Sequence, residues 1–447
     1  MKFLLNALLA ASCLPSLNAQ SANPPAAQPQ LSPKAAYDEA MQPLTTTRAQ
    51  VSNWSDAEIA ALKVTIARAA EACAARHPAD VDGDALIDLA RLCALGQTWN
   101  TVVESTTRYI QSDAPSKPLL ADAYAAQIDA NLHLKNEPAA LTGARAMLAS
   151  VPYDALAAEA IDEALAYMQF AHTADALSLA ALRQPLILAG LKASASPRSS
   201  APATSEASSA SSPQPIHALY SDGLMLAALA QLAGKLPAAT ETVASLDAAL
   251  PSPLPTDDSL MIATARRRYA LLGHPLPALR PLSYLRSHEP LPQLPARNAI
   301  TALLVFPDWC AQCVRMGEAF PETVFTVAGH EAYLYGALAE TVPPAKAPRT
   351  DGFEPADSSL LLNGTPTIVL PPAVLDRLAV DAVPFLLLTD AGGTVRVAQS
   401  IDPSAIQPGN TVDTAIACVG AHWPLHSAMN RRAAASATKP VVPGPAR

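Results

Sequence analysis

The fold of the C-terminal third is decided by Ala302–Cys313, which reads ALLVFPDWCAQC. A short apolar run ends at Pro307, and a Cys-x-x-Cys pair, Cys310 and Cys313, opens the helical pattern that follows. Unpaired N–H groups and the macrodipole at a helix N-terminus favour an anion, so the first thiol of such a pair is an activated nucleophile. The second thiol lies one turn further on, close enough to displace a mixed disulfide. The pattern therefore indicates a redox pair.

Two other uses of this cysteine pair are a zinc half-site and a structural disulfide. Zinc sites of this spacing normally need a second Cys-x-x-Cys or a suitably spaced pair of histidines. The nine histidines show no ligand spacing beside the motif, and the other cysteines form no second close pair. We therefore favour redox chemistry and expect neither a metal nor a cofactor. The six cysteines are Cys13, Cys73, Cys93, Cys310, Cys313 and Cys418.

A second motif lies downstream, where residues 378–397 predict a strand, a glycine turn and another strand. Pro384 opens the first of these strands, where a missing N–H is tolerated. The two motifs in this order resemble the thioredoxin superfamily over residues 299–424, in the half with the cis-proline loop and the final hairpin. The resemblance is closest to periplasmic, TlpA-like disulfide reductases, because a long insertion separates the early strand at 332–338 from Pro384.

The resemblance implies roles for individual residues. Cys310 is the attacking thiol, Cys313 is the resolving thiol, and Trp309 flanks the pair. Val383-Pro384 is the loop that faces the sulfurs, with a cis peptide that presents backbone groups to a substrate chain. Thr365-Pro366 is a rival for this role. We prefer Pro384 because a strand, a turn and a strand follow it, whereas further prolines soon interrupt the chain after Pro366.

The chain departs from the family at two positions. Thioredoxins often carry a buried acid on the strand six residues before the first cysteine, where this sequence has Leu304. TlpA-like proteins often place a glutamate six residues after that cysteine, where this sequence has Met316. Asp308 and Glu318 lie nearby, but single carboxylates of this kind are mostly solvated surface charges. The missing acid leaves a degraded site open as an alternative.

The N-terminus has the pattern of a secretory signal peptide over residues 1–19. Lys2 supplies the positive charge, Phe3–Ser12 is mainly apolar, and a small residue, Ala19, precedes Gln20. We expect an exported, periplasmic protein, and the alternative is a lipoprotein anchored at Cys13. Export suits a dithiol motif because oxidising compartments hold the disulfides on which such enzymes act.

Proline is unusually abundant, with 42 residues in 447, and much of it lies in segments that resemble linkers. Between these segments the chain is rich in Ala and Leu at helical spacing, and a capping box, Ser55–Glu58, opens the first predicted helix. We predict a multidomain protein, in which an α-helical array precedes an α/β domain. Its predicted parts are a disordered linker at 20–50, the helical domain at 51–273 with a disordered insert at 194–215, a Pro-rich connector at 274–298, the thioredoxin-like domain at 299–424 and a disordered tail at 425–447.

The helical region contains weak repeats that resemble tetratricopeptide repeats. A small residue at the packing position lets two helices approach, and a proline ends the second helix. Such arrays usually bind peptides or partner proteins. The alternative is a generic Ala-rich helical bundle in which the glycine and proline spacings recur by chance. The copies are Gly234-Lys235, Ala239 and Pro251; Lys135-Asn136, Ala140 and Pro152; and, more loosely, Gly96, Trp99 and Pro115.

Cys73 and Cys93 are candidates for a structural disulfide, since an exported protein meets an oxidising environment. In a simple hairpin of two helices their axial offset is roughly 9 Å, which with the interhelix separation exceeds the ~7 Å Cα limit for a disulfide. An earlier end of the first helix removes this objection, and we predict the disulfide. Cys418 is expected to be a buried free thiol on a C-terminal helix.

The composition of the chain excludes one class of binding partner. The net charge is −9 and no basic stripe is present, so nucleic acid is not expected as a partner. Two function classes remain. The first is an oxidoreductase that exchanges disulfides with protein substrates and a redox partner, with a peptide or protein ligand on the helical repeats. The second is a helical-repeat binding scaffold whose thioredoxin-like module has lost its activity.

Overall fold

A computed structural model describes eleven segments of the chain. The predicted signal peptide, Cys13, the interior of the predicted insert and the predicted tail lie outside them, as do Trp309, Cys310 and Cys313. Asp308, Met316, Glu318 and Thr365-Pro366 also lie outside. The described residues are 31–51, 56–112, 116–194, 214–279, 281, 283–285, 293–307, 324–327, 330–339, 367–401 and 408–423.

The N-terminal part of the described chain forms eleven α-helices. From α1 to α10 each helix packs on the next, and the odd-numbered helices also contact one another in succession from α1 to α11. This arrangement is the helical array that the sequence predicts. The helices are α1 (Pro33–Arg48), α2 (Asp56–Ala74), α3 (Ala85–Leu95), α4 (Trp99–Ile110), α5 (Lys117–His133), α6 (Glu137–Ser150), α7 (Ala155–Ala171), α8 (Thr173–Ser194), α9 (Ile216–Leu232), α10 (Leu236–Ala249) and α11 (Thr256–Tyr269).

Helix α1 lies where the sequence predicted a disordered linker over residues 20–50, and that prediction is wrong for residues 33–48. The Ser32 hydroxyl accepts a hydrogen bond from the Ala35 N–H (3.2 Å) and caps the helix. Ala36, Ala40 and Leu44 are buried at four-residue spacing, and α1 packs on α2 and α3. The Pro- and Gln-rich composition hides this apolar stripe, because the buried residues are mostly small.

The turns α3–α4, α5–α6 and α9–α10 share one geometry. In each, a residue in the left-handed region follows the first helix, and the next N–H bonds to the carbonyl five residues back at 2.7–2.8 Å. A small buried side chain follows five residues after the left-handed position. The left-handed residues are Gln97, Lys135 and Gly234, and the buried ones are Val102, Ala140 and Ala239. The spacings read from the sequence therefore correspond to a recurring helix–turn–helix unit.

Helix α8 is, by length and composition, the one helix of the described chain apolar enough to cross a membrane. In this fold it packs between α7 and α9. Leu179, Ile187 and Leu191 are buried there, and the fully buried Arg183 is paired with Asp162 of α7.

The C-terminal part is an α/β domain built on one mixed sheet of seven strands. The strand order is β1-β5-β4-β2-β6-β7, and β3 pairs with the first half of β4. β2 runs parallel to β4, β4 runs parallel to β5, and the pairs β2–β6 and β6–β7 are antiparallel. The strands are β1 (Ser283–Leu285), β2 (Ile300–Pro307), β3 (Val324–Val327), β4 (His330–Ala339), β5 (Thr367–Leu370), β6 (Phe385–Thr389) and β7 (Val395–Ser400).

Both faces of the central strands are buried, which explains their continuous apolar sequence. Leu303 and Val305 of β2 pack in one cluster with α12 (Pro372–Arg377). Leu304 and Phe306 pack in the other cluster with α13 (Pro408–His422). Phe170 of α7 and Leu232 of α9 belong to this second cluster, so the helical array and the α/β domain share a core.

The described part of the predicted connector at 274–298 belongs to the α/β domain rather than linking to it. Its strand β1 pairs with β5. The Gly273 N–H bonds to the Val395 carbonyl (2.8 Å), and the Val395 N–H bonds to the His274 carbonyl (2.9 Å). Leu276 and Leu279 are buried in the cluster under α12. The proline-rich composition indicated a linker, but an edge strand such as β1 tolerates prolines beside it, so this composition is also compatible with a place in the sheet.

Candidate functional site

Strand β2 carries the chain to the candidate site. It lies between β4 and β6, and its residues from Ile300 to Phe306 are all buried. The strand ends at Pro307, three residues before Cys310. The positions of Trp309, Cys310 and Cys313 lie outside the described residues, but the edge of the sheet at which the chain leaves β2 is defined.

The loop before β6 lies at that same edge. β6 is antiparallel to β2, and Phe385, its first residue, is level with Val305. Val383 and Pro384 therefore precede β6 on the side where β2 ends. The sequence predicted the Val383–Pro384 peptide to be cis, and it is cis. Its contact with the Cys310–Cys313 pair stays a prediction.

The strand that follows the rival prolyl position, β5, begins away from this edge. Thr367, the first residue of β5, is level with Gly336 of β4, which is level with Leu304 of β2. Because β5 runs parallel to β2 through β4, its start points away from the edge where β2 ends. Thr365-Pro366 is not among the described residues, but this strand direction favours Pro384.

The backbone next to Pro384 has few hydrogen-bond partners among the described residues. The Pro384 carbonyl accepts a hydrogen bond from the Ile401 N–H (2.9 Å), whereas residues 381–383 make no backbone hydrogen bond within the described part of the chain. Val383 is half-buried and packs on the cluster under α12. An extended chain can add to N–H and C=O groups that lack a backbone partner as it adds to a strand edge.

No carboxylate stands on β2. Leu304 is fully buried in the apolar cluster with Phe306 and Leu386, and the side chains from Ile300 to Phe306 include no titratable group. A proton acceptor for the resolving thiol is therefore not supplied by this strand.

Sequence reasoning missed one contact to the loop. Arg268 at the end of α11 forms an ion pair with Asp381, three residues before Pro384. The signal available in the sequence was the basic triplet Arg266-Arg267-Arg268 closing a helix. The triplet fits the general preference for cations at helix C-termini, so nothing in the sequence marks it as a contact to another domain.

The predicted disulfide between Cys73 and Cys93 is present, with a Cα–Cα distance of 5.1 Å. α2 ends at Ala74, and α3 begins only at Ala85, after a segment that includes a short 3₁₀ turn. A Cβ on Gly96 would lie 2.5 Å from the Ala70 nitrogen, so the two helices touch three residues from each cysteine. The geometric objection fails because it assumed that α3 starts level with the end of α2.

Cys418 is the buried free thiol that the sequence predicted. Its sulfur lies 3.4 Å from the Thr173 hydroxyl at the junction of α13 with the array. Burial raises the pKa of the Cys418 thiol, and the hydrogen bond between Cys418 and Thr173 opposes this shift only in part. This thiol is therefore a poor nucleophile.

A cluster of polar and charged side chains lies within the helical array. The Tyr153 hydroxyl donates a hydrogen bond to Asp222 (2.8 Å), and the buried Arg183 donates to Asp162 and to the Asp222 carbonyl (2.9 Å). Desolvation by burial, together with repulsion from Asp162, raises the pKa of Asp222 to about 6, although Arg183 and Tyr153 lower it. The cluster is a charged network within the helix packing.

The described residues contain no group of three or more His, Cys, Asp or Glu side chains placed to hold a metal ion. No family model, no curated protein and no solved structure matches this chain.

Proposed function

We propose that this protein is an exported thiol–disulfide oxidoreductase that exchanges disulfides with protein substrates through Cys310 and Cys313. The observation that carries the proposal is the antiparallel pairing of β2 with β6. Through it, the Val383–Pro384 loop and the chain that runs on into the Cys-x-x-Cys motif belong to one edge of the sheet.

The strand order supports a thioredoxin-like fold for this domain. The order β4-β2-β6-β7, with one parallel and two antiparallel pairs, is the order of the thioredoxin core. In that fold the dithiol motif follows the strand that corresponds to β2, and the cis-proline precedes the strand that corresponds to β6. The cis bond before Pro384 agrees with this correspondence.

The exchange would run in two balanced steps. The Cys310 thiolate attacks one sulfur of a substrate disulfide, forms a mixed disulfide and displaces the other substrate sulfur as a thiolate. Cys313 then loses its proton and attacks the Cys310 sulfur, which releases the second substrate thiolate. The substrate gains two electrons and Cys310–Cys313 becomes a disulfide. A dithiol redox partner returns the pair to the reduced state, and every step can run in reverse.

Trp309 and Val383-Pro384 are the proposed substrate contacts. The Val383 backbone groups, which make no backbone hydrogen bond among the described residues, would pair with an extended substrate segment and hold its disulfide beside Cys310. Main-chain pairing of this kind is tolerant of substrate sequence, which suits exchange with many proteins.

The helical array is proposed to recruit a partner. Its recurring turns and buried small residues support a tetratricopeptide-like architecture, and arrays of this type bind peptides or proteins along their faces. The array is packed on the α/β domain, so a bound chain would be held near the sheet.

Export to the periplasm is proposed from the signal-like N-terminus, with a lipoprotein anchored at Cys13 as the alternative. The Cys73–Cys93 disulfide supports this proposal, since disulfides persist in oxidising compartments and are rare in the cytosol.

The proposal is tested by alkylation and exchange. In the reduced protein, iodoacetamide near pH 7 should label Cys310 before Cys313, and the buried Cys418 should react last. Cys310→Ser should reduce exchange with a disulfide-bonded peptide by more than about 100-fold. Cys313→Ser should accumulate a mixed disulfide at Cys310 that mass spectrometry detects, and Cys418→Ala is the control that exchanges normally. Equal, slow labelling of both motif cysteines without exchange would contradict the proposal.

The second candidate is a binding scaffold whose thioredoxin-like module is inactive. The observation that favours it is the apolar surrounding of Leu304, since a buried acid is often present at this position in thioredoxins. A protein that binds a peptide on its array but performs no exchange would have this function.

A further inference from the structure

The loop between α12 and β6, residues 378–384, is held by backbone hydrogen bonds at its ends, by apolar packing and by one ion pair. Ala379 lies in the left-handed region, and the Val380 N–H closes α12 on the Leu375 carbonyl (3.1 Å). At the other end the Pro384 carbonyl accepts from Ile401. Between these points, within the described residues, no backbone hydrogen bond holds residues 381–383.

The side chain that holds the middle of the loop is Asp381. Both of its carboxylate oxygens accept hydrogen bonds from Nη1 of Arg268, at 2.7 and 2.9 Å. The Arg268 side chain is 20% exposed and that of Asp381 is 34% exposed, so the contact is partly shielded from water. Charge-assisted hydrogen bonds of this kind are stronger than neutral ones.

Arg268 is itself fixed, because the chain after it is part of the domain core. Tyr269 and Leu272 pack in the same cluster as Val383 and Phe385. Helix α11 therefore contacts the loop through Arg268, whose backbone is fixed by the packing of the residues that follow it.

We propose that Arg268 is a positioning residue, which holds the Val383 backbone where a substrate chain can pair with it. The inference rests on the proposed function and goes beyond it, since it gives the helical array a direct part in substrate binding. Without the Arg268–Asp381 pair, only apolar packing would hold the middle of the loop, so the backbone of residues 381–383 would be more mobile and each binding event would have to order it first.

The neighbouring pair provides a matched control. Arg267 contacts Asp376 at 3.2 Å, also from α11 to the α/β domain, but these side chains are 54% and 74% exposed. Exposed pairs contribute little because water screens them. Asp376 also lies in α12, where helix hydrogen bonds hold the backbone, so loss of this pair leaves the loop in place.

The test is steady-state disulfide exchange with the full-length protein. Two substrates are compared, a disulfide-bonded peptide and the small molecule bis(2-hydroxyethyl) disulfide. Arg268→Ala should raise KM for the peptide ~10-fold, with kcat and the rate with the small disulfide within about twofold of wild type. Asp381→Asn should behave in the same way, and Arg267→Ala should match wild type. The exchanged pair Arg268→Asp with Asp381→Arg should recover part of the lost affinity.

The outcomes separate the two proposals. If wild type exchanges neither disulfide, the proposed function fails and this inference fails with it. If wild type exchanges both and the Arg268 and Asp381 variants keep the KM of Arg267→Ala, only this inference is overturned. A parallel fall in kcat with both disulfides would also overturn it, because that pattern indicates general damage to the domain. Asp381→Asn, a substitution of equal size, answers the question if Arg268→Ala does not fold.

Discussion

The helical array and the α/β domain are built from contacts of different range. In the array each helix packs mainly on the next one or two, and a short turn decides the packing of α5 on α6 or of α9 on α10. In the α/β domain the central strand β2 pairs with β6, so Val305 lies beside Phe385, a residue far along the chain. Local units can be read from short patterns, whereas the position of the candidate site depends on long-range pairing.

The two regions nevertheless share their interior. Phe170 and Leu232 of the array lie in one cluster with Phe306 of β2, and Leu272 lies with Phe385 in the other. Two regions that differ in construction are thus expected to unfold as one cooperative unit. The following predictions test that expectation and the separation of roles between the regions.

Phe385→Ala should have the largest effect, a loss of about 4 kcal/mol in the free energy of unfolding, because it removes a fully buried ring from the sheet core. If the two cores are joined, the loss in free energy of unfolding should be the same by two measurements. One is urea unfolding followed by far-UV circular dichroism, which reports mainly on the array, and the other is hydrogen exchange of the β2 and β6 amides. Ile161→Ala, in the array core, is the matched variant and should also shift both signals. A shift confined to the sheet would mean that the array is stable alone.

Replacing Cys73 and Cys93 by serine should lower the free energy of unfolding by about 3 kcal/mol, since the disulfide closes a loop with a sequence separation of 20 residues. Chemical denaturation with intact and substituted protein measures the difference. Disulfide exchange, measured below the unfolding transition, should be unchanged, because both sulfurs are buried in the array. A loss of exchange in the folded variant would give this pair a redox role and blur the distinction between the regions.

Asp222→Asn should have the smallest effect, and one that depends on pH. The raised pKa of Asp222, about 6 against an ordinary 3.8, means that its contribution to stability is present below about pH 4 and is lost as pH rises through 6. The variant should match wild type near pH 4 and exceed its stability at pH 7 by on the order of 2 kcal/mol. Thermal melts across this pH range measure the gap, with Asp376→Asn as an exposed control. A gap that does not change with pH would show that Asp222 does not titrate there.

Much of the fold was predictable where the signal is local. The small residue five positions after each turn marks the helix pairs of the array, since only a short side chain allows close approach there, as Ala140 and Ala239 do. The two predictions that the described residues contradict, at 33–48 of the predicted linker and at 274–279 and 283–285 of the predicted connector, both concern proline-rich segments. Composition suggested flexibility there. The burial of residues such as Leu44 and Leu276 offsets the conformational entropy lost on ordering these segments, through packing that no local pattern reveals.

The candidate site divides in the same way. The sequence alone determined which groups carry the proposed chemistry, since a Cys-x-x-Cys after an apolar run and a proline before a later strand are local patterns of side-chain type. Tertiary structure decided the rest. The pairing of β2 with β6 puts the start of β6 at the edge where β2 ends and the start of β5 away from it, which favours Pro384 over Pro366 as the proposed substrate loop, because strand direction is a property of the whole sheet. It also brought Arg268 to Asp381, since a contact between distant segments depends on how both are packed and on neither sequence alone.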